Sequence, residues 1–83
     1  MLIKYLTTAM HKAHYEFLKN DKKFYGEISG CKGVYTTGKT LEECRDELEE
    51  VLEEWILFRI SRHLSLPVID GIRLQVKEVA SEF

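Results

Sequence analysis

The stretch from Thr40 to Ile60 constrains this chain more than any other part of it. Thr40-Leu41-Glu42-Glu43 is a capping box, in which the threonine hydroxyl can accept from the N3 amide while the Glu43 carboxylate reaches back to the Thr40 amide. Glu42 and Glu43 also sit where the positive end of a helix dipole favours carboxylates. Leu41, Cys44, Leu48, Val51, Leu52, Trp55 and Ile56 then recur at spacings of three and four, which predicts one long helix with a continuous apolar stripe. Such a stripe must be buried against a second layer. Past Val51 the pattern broadens: Trp55, Ile56, Leu57, Phe58 and Ile60 point around most of the circumference, more than one sheet face can bury. That end of the helix needs a further cover. The helix is expected to stop around Arg62 to Leu64, where basic side chains suit its C-terminal dipole, and Pro67 forbids continuation.

The rest of the chain supplies the second layer. Leu2, Leu6, Ala9, Met10 and Ala13 form a helical stripe, so residues 1–12 are read as a short amphipathic helix. From Ala13 the period changes, with Tyr15 and Phe17 alternating against His14, Glu16 and Leu18, and Asn20-Asp21-Lys22-Lys23 offers a turn. Phe24, Gly26 and Ile28 alternate on a second strand, Gly30-Cys31-Lys32-Gly33 turns the chain again, and Val34 to Thr37 is a β-branched and aromatic third strand. Beyond the long helix, Ile72, Leu74 and Val76 alternate with Arg73, Gln75 and Lys77 as a fourth strand. The expected class is α+β in the order α-β-β-β-α-β. A right-handed helical crossover would return strand four parallel to strand one, at that edge of an antiparallel meander.

Size and charge sharpen this picture. At 83 residues, 45% hydrophobic and 31% charged, the chain reads as one compact domain over residues 1–83. A domain this small buries only about 60–65% of its unfolded surface, so a homo-oligomer or a complex is expected. The net charge of −2 hides a strong segregation. Residues 1–39 carry seven basic and three acidic side chains, residues 40–54 one basic and eight acidic, and residues 55–83 four and three. Two Cys without a signal peptide fit a reducing cytoplasm, and the longest apolar stretch, Val51 to Ile60, is broken by Glu53, Glu54 and Arg59, so no membrane span is expected.

Several motifs invite a chemical reading and fail on context. Gly33-Val34-Tyr35-Thr36-Thr37-Gly38-Lys39-Thr40 satisfies G-x-x-x-x-G-K-[ST], but a phosphate loop needs a buried strand before the first glycine, and here Val34 to Thr37 is itself the strand. His11, His14, Cys31 and Cys44 are zinc-type ligands without the close paired spacing that pre-orders a site. Cys31, alone in a turn, is open to oxidation on this reading, and no orienting acid makes it a nucleophile. A two-metal nuclease built from Glu16, Asp70 or Glu78 and helical acids would need several converging carboxylates. Glu42, Asp46, Glu49 and Glu53 instead form a row away from the apolar stripe, which is a solvated face by default. No catalytic residue, cofactor or metal is therefore assigned. The sharper use of such a row is as a phosphate mimic that attracts a basic, RNA-binding protein, with Trp55, Leu57 and Phe58 as an apolar anchor.

Tyr15-Glu16-Phe17, the run from Phe24-Tyr25-Gly26-Glu27-Ile28-Ser29-Gly30-Cys31-Lys32-Gly33 through Val34-Tyr35-Thr36-Thr37-Gly38-Lys39-Thr40-Leu41-Glu42-Glu43-Cys44, and the acidic helix ending in Trp55-Ile56-Leu57 together resemble the HicB-like antitoxin family. The resemblance runs to about Val76, so residues 13–76 form its core and 77–83 a tail. It implies a partial ribonuclease-H-like fold without catalytic acids, which oligomerises and neutralises a small basic mRNA-cleaving toxin of the HicA type. The phosphate-loop letters are then the family's strand, exit turn and helix cap. Longer members add an operator-binding domain, and this sequence stops a few residues after strand four, so direct DNA binding is not expected. The N-terminal helix is associated with short, stand-alone members, in which a toxin partner is not assured. Lys32 stands where the family usually has a proline. The expectation is a non-enzymatic cytoplasmic antitoxin whose interface includes Trp55, Leu57, Phe58, Asp46, Glu49 and Glu53; the alternative is an orphan homo-oligomeric interaction domain.

Overall fold

The computed structural model describes residues 2–72. Its elements are α1 (Leu2–His11), β1 (Ala13–Leu18), β2 (Lys23–Ile28), β3 (Tyr35–Gly38) and α2 (Leu41–Ser61). The strands form an antiparallel meander in the order β1-β2-β3, and both helices take part in the core, giving an α+β architecture. The register pairs Tyr15 with Gly26 and Gly26 with Thr36, so these residues share one face. That face carries α2: a Cβ on Gly26 would lie 3.0 Å from the Cys44 sulfur, and one on Gly38 would lie 2.6 Å from the Cys44 backbone nitrogen. Only glycine allows helix and sheet to approach this closely.

The connections follow from local chemistry. Cys31 N donates to Ile28 O and Val34 N to Cys31 O, two successive turns with Gly30 and Gly33 at φ 92° and 96°, where a side chain would be strained. The pair of turns folds Cys31 inward until it is 1% exposed. At α2 the Thr40 hydroxyl accepts from Glu43 N at 3.0 Å, the first half of the capping box; the return bond is not formed among the described residues. The helix closes in a Schellman motif, with Leu64 N donating to Arg59 O, His63 N to Ile60 O, and His63 itself at φ 56°.

Tyr5, Ala9, Ile28, Cys31, Val34, Leu48, Leu52, Ile56 and Ile69 make one buried cluster. Each fully buried Leu or Ile contributes roughly 1.5–3 kcal/mol relative to exposure. The stripe of α2 therefore does cover the sheet, with Cys44, Leu48, Leu52 and Ile56 buried, while Leu41 stays exposed at its start. On α1 the centre of the stripe is Tyr5 and Ala9, and Leu2 is exposed. Tyr5 is fully buried and its hydroxyl donates to Pro67 O at 2.6 Å, tying α1 to the segment after α2; burial pushes its pKa up to about 12. Ile69 and Ile72 exchange backbone hydrogen bonds around Asp70-Gly71, and Asp70 pairs with Lys12 at 2.8 Å, so this turn sits on the β1 side of the sheet. Apart from Ile72, the expected fourth strand lies outside the described residues, and with it the test of the ribonuclease-H-like topology.

Candidate functional site

The chemistry-bearing residues singled out in the sequence are dispersed by the fold. His11 and His14 are exposed, whereas Cys31 and Cys44 are buried, and no group of three or more His, Cys, Asp or Glu converges among the described residues. Burial raises the pKa of both thiols, so Cys31 is a core residue and its expected susceptibility to oxidation is corrected by its place between the two glycine turns. Glu16 is exposed on β1, and Asp70 is held by Lys12. The residues of the phosphate-loop pattern are spent on a turn at Gly33, strand β3, the close approach at Gly38 and the N-cap at Thr40.

What the fold does build is an acidic groove. Glu43, Asp46, Glu47 and Glu50 of α2 face Thr36, Thr37 and Gly38 of β3 across an open cavity of about 700 Å³, with Lys23 and Lys39 also in its lining. Of the row expected from the sequence, Asp46 lies in this groove, while Glu49 and Glu53 are exposed elsewhere on α2. Glu43, Glu47 and Glu50 escape a reading of the sequence because helical spacing gives a face, and only the side on which β3 lies says which face matters. Their own spacing of four and three is the available signal. Arg45, the one cation of the acidic segment, is close enough to Tyr15 of β1 to oppose the burial that raises that phenol's pKa. It sits on the other flank of α2. The groove side of the helix is thus purely anionic.

The far end of α2 is different. Leu57 and Phe58 are 62% and 52% exposed, whereas Trp55 is half-buried and packed on the core. The Arg59 guanidinium lies 5.1 Å from the Trp55 ring centroid and donates to Ser65 O, and that of Arg62 lies 5.2 Å from Phe58. Two arginines therefore border an exposed apolar patch. The sheet face away from α2 is wetter, with Tyr25 beside Tyr35 at 6.2 Å and donating to the Glu27 carboxylate at 2.9 Å, the main cause of its raised pKa. No helix among the described residues is long and apolar enough to cross a membrane.

A small α+β unit with segregated charge is the class that this fold and surface define. The family model for UPF0150-like proteins matches residues 4–67, and the chain belongs to that family. Among solved structures it is similar to TTHA0281 from Thermus thermophilus, with 39% identity, a TM-score of 0.87, and 93% of this chain and 95% of that one covered. No curated protein matches the chain.

Proposed function

We propose that this protein is a HicB-like antitoxin: a non-enzymatic, cytoplasmic module that binds and neutralises a small basic mRNA-cleaving toxin. The observation that carries the reading is the segregation of eight acidic side chains into residues 40–54, four of them lining the groove beside β3. A surface of this kind sets a negative potential beside β3 and attracts a protein whose own site is built to hold RNA. Membership of the UPF0150-like family and the HicB-like residue pattern from Tyr15 to Leu57 support it. The test is co-expression with a small basic protein encoded beside this chain. Relief of the growth arrest that this neighbour causes is the expected result, and arrest that persists at saturating expression of a folded chain refutes the reading.

A second reading rests on the other end of α2. Leu57 and Phe58, more than half exposed, offer an anchor for a second copy. Light scattering on the native chain and on Phe58→Asp tests this surface. A drop in mass with Phe58→Asp places that end in an oligomer interface, and an unchanged oligomer removes it.

A further inference from the structure

The groove beside β3 has a wall that the charge pattern alone does not explain. β3 is an edge strand: β2 pairs with one side of it, and its other side carries no strand among the described residues. Ile28 N donates to Val34 O, so Thr36 and Gly38, two and four residues on, turn their backbone groups toward β2. Tyr35 and Thr37 turn theirs outward, and among the described residues the Thr37 carbonyl accepts only from the Thr36 hydroxyl, at 3.5 Å. An open edge of this kind is a template for another strand. Here it runs along the floor of a groove whose helical wall holds Glu43, Asp46, Glu47 and Glu50.

Resting on the protein-binding reading above, we propose that this groove takes an extended Lys- or Arg-bearing segment of a partner protein, which adds to the free edge of β3 as a strand. Backbone hydrogen bonds from Tyr35 and Thr37 fix the register, and the carboxylates of α2 pair with the cations that project to one side. The charge selects a foreign segment over a second copy. Pairing β3 with β3 across a two-fold axis would bring two anionic α2 flanks together, and the outer edge of β1, which carries no strand among the described residues, is Ala-His-Tyr-Glu-Phe-Leu, with an acid and neither Lys nor Arg. Lys19 and Lys22 lie in the turn that joins β1 and β2, and Lys23, in the lining of the same groove, opens β2 and is paired with Leu18 of β1.

The test uses the whole chain and a short synthetic peptide alternating lysine and valine, with two controls: glutamate in place of lysine, and a proline-interrupted version with the same charge that cannot form a strand. The lysine–valine peptide is expected to bind, to protect the Tyr35 and Thr37 amides from hydrogen exchange, and to bind about tenfold more tightly than either control. Glu47→Lys with Glu50→Lys, both exposed and harmless to the core, is expected to lose about the same factor. Equal binding of the proline peptide, or binding without protection of those amides, overturns strand addition. Displacement of the peptide by self-association of the chain overturns the choice of a foreign segment. If the charge-reversed chain still relieves toxin arrest, the docking site is wrong while the antitoxin reading stands; if the native chain binds the peptide and relieves no arrest, the reverse holds.

Discussion

The two halves of α2 solve different problems with the same backbone. The first half lies against Gly26 and Gly38, where two missing side chains let the sheet take Cys44, and apart from Leu41 its exposed side chains are all charged. The second half runs past the reach of the strands: a helix of 21 residues is about 31 Å long, whereas strands of six residues span about 20 Å. There α1 replaces the sheet as packing partner, through Tyr5 and Ala9, and Leu57 and Phe58 are left in solvent. The chemistry of the exposed surface therefore changes along the helix axis as well as around it. One half offers anions beside the outer edge of β3, the other an apolar patch bordered by arginines.

The largest test of this division sets a buried position against an exposed one. Leu48→Ala, from a side chain with no exposure, is expected to destabilise the chain by about 2–5 kcal/mol in urea unfolding. Leu57→Ala should change stability by no more than about 0.5 kcal/mol. Similar losses at both positions would mean that the far half of α2 is covered in the folded protein.

Tyr5→Phe probes how α1 holds the second half. Removing the hydroxyl leaves the Pro67 carbonyl without its donor and should cost about 1–2 kcal/mol at neutral pH. Its pH dependence has a definite sign. The phenol's pKa is higher folded than unfolded, so its contribution is complete below about pH 10 and is lost as pH rises toward the folded value of about 12. Alkaline titration of stability should therefore fall across that window in the native chain and lack this component in Tyr5→Phe. A smaller gain is expected at the helix end. His63 occupies the left-handed position of the Schellman motif, and His63→Gly should raise stability by about 0.5–1 kcal/mol without touching the groove.

Much of this was legible in the sequence, for identifiable reasons. The capping residue Thr40, the stripe from Cys44 to Ile56 and the change of period at Ala13 are local signals, and the elements fall where they predict. Tyr5 was not legible, because a tyrosine on a short helix becomes a core residue only once Pro67 is brought against it from the far end of the chain. Cys31 reads as a loop residue until two consecutive glycine turns fold it inward. The acidic residues show the limit most clearly. Spacing places Asp46, Glu49 and Glu53 on one exposed row, but the position of β3 decides that Glu43, Asp46, Glu47 and Glu50 share a groove. Strand order is a tertiary fact that helical periodicity does not contain.

The proposed function makes the acidic half of α2 a binding surface for a basic protein. The decisive measurement is calorimetric titration of the folded chain with a small basic protein encoded beside it, at low and at physiological salt. Saturable binding that weakens with salt, and that Glu47→Lys with Glu50→Lys reduces by about tenfold, is the predicted result. Absence of binding at both salt concentrations, or binding indifferent to salt and to the charge reversal, would contradict it.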